Sequence, residues 1–396
     1  MALSKIASNR RTLREIANRV VGLTEDERRF LFEEADLSEH EALVPVVASE
    51  TFQNTERHFL LPLQIDRSRP YHARNWLRRS GMQSVELCAG AGGQALGLER
   101  AGFAHDALVE IDAHACQTLR LNRPAWDVRE GDLRTFDGRP FAGVELLAGG
   151  VPCPPFSVAG KQLGKDDERD LFPEALRLVD EIRPRAVMLE NVRGFLDAVF
   201  ADYRQSLKAK LTKMGYVADW RLLNASHFGV PQLRPRVVIV AVKKEIADQF
   251  AWPEERHHNP LTVGEVLEDL MAAKGWQGAR SWAKRADEIA PTIVGGSKKH
   301  GGPDLGPTRA RAAWATLGVN GKTLAEEAPE KGFVGMPRLT IRMVARLQGF
   351  PDDWQFHGRK THAYRQVGNA FPPPVAEAVG HQIAAAIRSK RIHAVA

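Results

Sequence analysis

The chain is poor in cysteine, with three among 396 residues: Cys88, Cys116 and Cys153. None lies in a C-x-x-C pair, so the usual zinc-knuckle and redox signatures are absent. The odd count suits a reducing compartment better than a secreted disulfide framework, and a chain of this length builds its core without disulfide staples. Long apolar runs are missing too. The first residues, MALSKIASNRRTLREIANRV, match neither a signal peptide nor an anchor, so the expectation is a cytoplasmic protein with no membrane partner. No fixed-period repeat and no low-complexity tract occurs, which excludes solenoids and biased linkers.

What is present is the balance of an ordinary soluble protein, 43% hydrophobic and 26% charged. The length suggests about two to three domains. The net charge of +6 is compatible with a polyanionic partner, because each neutralised phosphate releases counterions. A mildly basic enzyme with no such partner would carry the same charge.

Residues 1–80 read as a helical extension. Leu13, Ile16, Val20 and Val21 recur at helical spacing, and Thr24 stands three residues before Glu27 as in a capping box. Arg67, Arg69, Arg74, Arg78 and Arg79 crowd the approach to residue 80, either to lie along phosphates or to solvate a helical cap. From Gln83 the pattern alternates. SVELCAG, HDALVEID, VELLAGG, AVMLEN and RVVIVAV read as strands, with GGQALGLERAGF and FPEALRLVDEI as helices between them; Leu96 and Leu98 face inward and Gly102 ends the first helix. Such alternation predicts an α/β fold with a doubly wound, mixed but mainly parallel sheet over residues 81–243. Residues 244–335 change texture, with Gly-, Pro- and Lys-rich stretches such as IVGGSKKHGGPDLGPTRARAAW, and read as a smaller loop-rich domain. Residues 336–396 return to helical patterning; YRQVGNAFPPPVAEAVGHQIAAAI reads as a loop followed by a long helix.

Gly90, Gly92 and Gly93 follow the first strand directly, where glycine permits a tight turn and close approach of a ligand. Gly90-x-Gly92-x-x-Ala95 matches a relaxed dinucleotide fingerprint, and Glu110 ends the next strand about 20 residues on. A carboxylate there accepts bonds from ribose hydroxyls, and Asp132, after Gly131, is placed for an adenine amino group. These positions alone do not separate a nicotinamide cofactor from S-adenosylmethionine.

Cys153 sits in Gly149-Gly150-Val151-Pro152-Cys153-Pro154-Pro155-Phe156-Ser157, after an apolar strand. A lone cysteine is more often a small buried hydrophobe, but flanking prolines stiffen this loop and present the sulfur. Glu190, in Leu189-Glu190-Asn191-Val192, stands at another strand end, and ligands of such sheets bind beyond the carboxyl ends of strands; the alternative is a carboxylate stabilised at a helix N-terminus. In Gln232-Leu233-Arg234-Pro235-Arg236, period-two spacing sets Arg234 and Arg236 on one face, able to grip a carboxylate or a base oxygen or simply to solvate an edge.

Taken in order, ELCAGAGG, VEID, GDL, GGVPCPPFS, ENV, QLRPR, RLTIRMVARLQGFP and YRQVGNAFPPPVA span residues 86–376, and the chain resembles the bacterial DNA cytosine-5 methyltransferase family. The resemblance implies S-adenosyl-L-methionine as cofactor, S-adenosyl-L-homocysteine as product, and no metal. It implies a nucleophilic Cys153 attacking carbon 6 of a flipped-out cytosine, with Glu190 on the ring nitrogen and amino group, Arg236 on the base oxygen and Arg234 supporting the pocket. It assigns the cofactor to Cys88, Ala89, Gly90, Gly92, Gly93, Glu110, Ile111, Asp132, Leu133, Gly150, Pro152, Leu171, Asn369 and Ala370. The segment SVAGKQLGKDDERDLF resembles the family's closing loop; Ser157, Lys161 and Arg169 would meet DNA there, although Arg169 could equally pair Asp166 or Asp170. Residues 244–335 would read the sequence, with Lys298, Lys299, Arg309 and Arg311 supplying phosphate or base contacts.

The expected setting is therefore a monomer on double-stranded DNA in a nucleoid-associated bacterial enzyme, serving a restriction-modification or orphan epigenetic role, with any cognate restriction endonuclease acting separately. Two positions depart from the family pattern: Pro154 replaces the usual glutamine after the nucleophile, and Cys88 stands where an aromatic ring often packs against the cofactor. An RNA cytosine-5 methyltransferase is a rival, but the Cys-Phe-Thr segment of the tRNA-methylating relatives is absent. A nicotinamide-dependent oxidoreductase leaves Cys153, the ENV segment and QLRPR without joint purpose. A catalytically dead DNA-binding regulator fits poorly with an intact Cys153, Glu190 and Arg236.

Overall fold

A computed structural model describes residues 81–152, 170–295 and 302–393, with side chains through Ser389. The expectations for residues 1–80, including the Thr24 capping box and the arginine-rich approach, lie outside the described residues.

Seven strands form one sheet: β1 (Met82–Leu87), β2 (Phe103–Glu110), β3 (Val128–Glu130), β4 (Leu146–Gly149), β5 (Ala186–Val192), β6 (Tyr216–Asn224) and β7 (Pro235–Lys243), in the order β3-β2-β1-β4-β5-β7-β6. Strands β3 through β5 are mutually parallel, whereas β7 inserts antiparallel between β5 and β6. The sheet is thus mixed, as the alternating pattern predicts. The order reverses beside β1, which puts the carboxyl ends of β1, β2, β4 and β5 at a topological switch point, the place where open α/β sheets bind ligands.

Alternation along each strand divides the core. Val85, Leu87, Leu147, Val187, Leu189, Val237 and Ile239 face one cluster; Met82, Leu146, Ala148, Ala186, Met188, Val238 and Val240 face another. The first face is covered by α3 (Phe172–Ile182) and α4 (Ala201–Lys213). In α3, Phe172, Ala175, Leu176, Val179 and Ile182 recur at i, i+3, i+4, i+7 and i+10 and are all buried. The second face is covered by α1 (Gly93–Arg100) and α10 (Pro373–His393). As expected, Leu96 and Leu98 are buried and Gly102 turns the chain after α1 with φ 94°. A further helix, α2 (Ala113–Asn122), follows β2 and is capped by Asp112, whose carboxylate accepts from the His114 and Ala115 amides.

Residues 244–335 are more helical than their composition suggests. They contain α5 (Val263–Ala272), opened by a Thr262–Glu265 capping box, then α6 (Ala279–Arg285) and α7 (Thr308–Thr316). These helices are short, and Trp276, Trp282 and Trp314 rather than aliphatic runs supply much of their core, so hydrophobic periodicity is weak. The same cluster continues into α8 (Ile341–Leu347) and α9 (Lys360–Asn369); hydrophobic packing therefore runs unbroken across residue 335. The expected loop at YRQVGN is helix α9, and only residues 370–372 form the loop before α10. Gly368 and Asn369 there read as helix breakers, yet Gly368 closes the helix where a Cβ would strike Gly295 Cα at 2.4 Å.

One strand residue runs against the apolar pattern. Glu86, fully buried on β1, finds no hydrogen-bond partner for either oxygen among the described residues, and burial pushes its carboxyl up to about 8. A carboxyl raised in the folded state contributes stability that is complete below its unfolded value near 4.5 and is lost as pH rises through about 8. Glu86→Gln should therefore raise stability at pH 9 by on the order of a few kcal/mol and change it little at pH 4. Chemical denaturation of both proteins across this range checks the sign; a difference independent of pH would show that the carboxyl does not titrate there.

Candidate active site

Three features of the chain converge at the carboxyl edge of the sheet. The first is the turn after β1. Cys88 and Gly90 take positive φ, 51° and 53°, and Gly92 follows at 85° as the N-cap of α1. The glycines divide the work. A Cβ on Gly92 would strike Leu119 and Trp354 at 2.8 and 2.9 Å, and one on Gly93 would strike the Phe371 carbonyl oxygen at 2.3 Å. Those two permit packing of the turn against α2 and the 350–371 segment. Gly90 alone faces open space, with nothing within 4 Å of a Cβ, which is the room a ligand needs.

Glu110, at the end of β2, fastens this turn. Its carboxylate accepts from the Gly90 amide at 2.7 Å and from the Ile111 and Asp112 amides at 2.9 and 2.8 Å. Burial pushes its pKa up, while these amide bonds draw it back down. Oε2 takes only one of the three amides, so it retains acceptor capacity for a hydroxyl. Beside it Ile111 is 65% exposed, an apolar surface suited to a flat ring. Asp132 caps the turn at Leu133–Thr135 and pairs with Arg134 at 3.0 Å. Leu133 turns its side chain into the core, so only its backbone is left for a ligand. Ala89 is buried, its amide bonded to the Val109 carbonyl at 3.0 Å.

The cysteines separate by environment. Burial, then Glu110 and Asp132, push the Cys88 thiol far up. Burial and Glu110 push Cys116 up to about 12, and its thiol donates to the Glu110 carbonyl at 3.4 Å. Neither holds a thiolate near neutral pH, and the thiolate is the nucleophile. Cys153 lies outside the described residues, as do Ser157, Lys161, Arg169, Lys298 and Lys299. Its neighbour Pro152 is described: the Pro152 carbonyl accepts from the Leu171 amide at 3.4 Å, which sets residues 152 and 171 side by side. Asp170, one residue before the Leu171 N-cap of α3, accepts from the Phe172 amide at 3.0 Å and from the Tyr203 hydroxyl at 2.7 Å.

Glu190 and Arg236 form the polar centre. In the antiparallel β5–β7 ladder Val192 lies opposite Arg236 and Glu190 opposite Val238, so Glu190 and Arg236 are diagonal neighbours on one face. Arg236 Nε donates to Glu190 Oε1 at 2.8 Å, with the side chains 14% and 13% exposed. Burial pushes the Glu190 carboxyl up, opposed by Arg236 and Arg234. A Cβ built on Gly150 would sit 3.4 Å from Glu190 Oε2, which ties this pair to the strand end that leads to Pro152.

Arg234 has a different place. Fully buried, it donates to the carbonyls of Ile293 at 2.7 Å, Gly368 at 2.7 Å and Ala370 at 2.9 Å. It fastens the 290–295 segment to the end of α9, while Asn369 between its acceptors is exposed. Sequence patterning missed its helpers. Gln232, fully buried, accepts from the Ile293 amide at 2.9 Å and donates to Gln348 at 2.8 Å. Trp354 donates to the Ala91 carbonyl at 3.2 Å, holding the glycine turn from outside. Gln232 and Gln348 stood inside the segments QLRPR and RLTIRMVARLQGFP without a role of their own, and Trp354 stood as a large aromatic just beyond the second. Arg309 is exposed on α7 and Arg311 is half-buried beside Thr308.

A family model described as C-5 cytosine-specific DNA methylase matches residues 82–385. The chain is 58% identical over 310 residues to the type II methyltransferase M.NgoMIV of Neisseria gonorrhoeae, covering 78% of this chain and 98% of that protein. It is 59% identical over 312 residues to the type II methyltransferase M.NaeI of Lentzea aerocolonigenes, covering 77% and 75%. Among solved structures, a Spodoptera frugiperda DNMT2 variant matches with a TM-score of 0.53 at 17% identity, over 76% of this chain and 99% of that one, a likeness of fold.

Arg234→Lys keeps the charge but loses the planar fork, leaving buried carbonyls unpaired at about 1–3 kcal/mol each. The variant should unfold at a temperature several degrees lower in calorimetry. An unchanged Tm would show that the guanidinium does not hold these segments together.

Proposed function

We propose, on the premise that this chain belongs to the C-5 cytosine-specific DNA methylase family and is a DNA cytosine-5 methyltransferase, that it methylates a flipped-out cytosine through a covalent bond to Cys153. The observation that carries this is the Glu190–Arg236 pair, set by the β5–β7 register beside the strand end that leads through Gly150 and Pro152 to Cys153.

The cytosine must leave the duplex before its carbon 6 can meet a thiolate. Carbon 5 is a poor nucleophile until that attack pushes electron density onto it. Glu190, whose burial favours the protonated carboxyl, donates to the ring nitrogen and accepts from the exocyclic amino group, which stabilises the adduct. Arg236 holds Glu190 in line and reaches the base oxygen. Arg234 acts as a positioning residue behind them. With Cys88 and Cys116 kept as thiols, Cys153 is the cysteine left for the chemistry.

The cofactor, S-adenosyl-L-methionine, supplies an electrophilic methyl on a sulfonium, and the family implies its use. The residues fit it: open space at Gly90, acceptor capacity on Glu110, the exposed face of Ile111 and the carboxylate of Asp132. Cys88, Ala89, Gly92 and Gly93 shape the turn; the backbones of Leu133, Gly150, Pro152, Leu171, Asn369 and Ala370 complete the rim. Residues 81–243 and 336–396 serve as the catalytic body, and residues 244–335 read the DNA, with Arg309 and Arg311 as contacts joined by Lys298, Lys299, Ser157, Lys161 and Arg169. The enzyme acts as a monomer on double-stranded DNA in a restriction-modification system, its cognate endonuclease acting separately. No helix among the described residues is long and apolar enough to cross a membrane.

Cys153→Ser should abolish methyl transfer into duplex DNA while S-adenosylmethionine binding, measured by calorimetry, persists. Glu190→Gln should lower kcat by about 10²–10⁴-fold, the range for losing a positioned acid, with little change in cofactor affinity. Duplex DNA amplified with 5-fluorocytosine should trap the wild-type enzyme as a denaturation-resistant adduct, because fluorine cannot leave as the carbon 5 proton does. Turnover in Cys153→Ser, or trapping of that variant, would refute the nucleophile.

A further inference from the structure

We infer that His227, Glu255 and His257 form a structural binding site for a divalent transition-metal ion of the zinc class, apart from the methyl-transfer centre. His227 lies in the short turn Ala225–Phe228 between β6 and β7. Glu255 and His257 lie in the segment between the Lys244–Gln249 turn and α5. One ligand atom from each residue lies within 4.8 Å of the other two. His227 Nδ1 stands 2.5 Å from Glu255 Oε2, and the rings of His227 and His257 meet edge-on at 4.2 Å between centroids.

The chemistry of the donors selects the ion. Two imidazoles and one carboxylate are the ligands of a borderline cation such as Zn²⁺ and are too nitrogen-rich for Ca²⁺ or Mg²⁺. Bonds of about 2.0–2.1 Å at tetrahedral angles hold ligand atoms about 3.3 Å apart. The His227–Glu255 contact must open by roughly 0.8 Å to reach that spacing, and the His257 atom, already within 4.8 Å of both, must settle to it. Water completes the fourth position, since His257 stands at the exposed side while His227 and Glu255 are half-buried. The supporting backbone is in place. The Arg256 amide donates to the His227 carbonyl at 3.0 Å, which fixes the two segments side by side before any ion arrives.

The position gives the ion its role. Trp252 fastens the start of the same segment by donating to Asp219 on β6 at 2.8 Å. A metal at 255–257 fastens its end to the turn that leads through Gln232 into Arg234. It thus pins the entrance to residues 244–335 against the sheet and cross-links residues about 30 apart in sequence, a closure that restricts the unfolded chain.

The test uses the full chain without a histidine tag, stripped with chelator and titrated with Co²⁺, then with Zn²⁺. One equivalent of Co²⁺ should bind with visible d–d bands of tetrahedral coordination, and Zn²⁺ should displace it and raise Tm. His257→Ala, at the exposed ligand, should fold normally, retain S-adenosylmethionine binding and bind Co²⁺ at least about tenfold more weakly, since loss even of a residue that only orients a ligand costs that much. Glu255→Gln should weaken it likewise. Absence of saturable binding to the wild-type protein, or unchanged affinity in both variants, would overturn the site and leave His227–Glu255 as a hydrogen-bonded pair.

Discussion

A guanidinium with no access to water governs how this protein holds together. Burying a charge is costly unless its hydrogen bonds are made, and the two terminal nitrogens of Arg234 make theirs to backbone carbonyls of Ile293, Gly368 and Ala370, while Nε finds no partner among the described residues. Two residues on, Arg236 turns the same strand entrance toward Glu190. One short run of sequence therefore joins a mechanical joint to a buried ion pair. Neither would be in register without the antiparallel insertion of β7 beside β5, which aligns the pair diagonally and brings Arg234 under the end of α9.

Much of this was legible in the residues. Apolar runs with glycines at their ends announce strands that feed ligand turns, and the sheet follows from their alternation with helices such as α3. Glu190 and Arg236 could be placed at strand ends from pattern alone; that they touch depends on a register no local pattern encodes. The helices of 244–335 escaped because their core is made of Trp276, Trp282 and Trp314, single large residues that leave little periodicity. Helix α9 escaped because Gly368 has the look of a terminator, whereas its missing side chain serves a backbone crossing 73 residues away at Gly295.

The glycine turn shows a similar division. Gly90, Gly92 and Gly93 look alike in sequence, yet a side chain at Gly92 or Gly93 would strike neighbouring protein whereas one at Gly90 would meet nothing within 4 Å. Only the three-dimensional surroundings separate a glycine that makes room for a ligand from one that makes room for a neighbour. Cys88 extends the point: its left-handed backbone belongs to the shape of the turn, and burial, reinforced by Glu110 and Asp132, keeps its sulfur protonated.

At the polar joint between the 290–295 segment and α9, both segments offer main chain: the Ile293, Gly368 and Ala370 carbonyls to the Arg234 guanidinium, and Gly295 against Gly368. Such a seam is blind to the side chains that lie beyond it. On the proposed assignment of residues 244–335 to DNA reading, the surface of that region can be rewritten without changing these backbone contacts, provided both glycines and the arginine stay. On that assignment, a new specificity needs changes only on the outer surface of the region, with the attachment left as it stands.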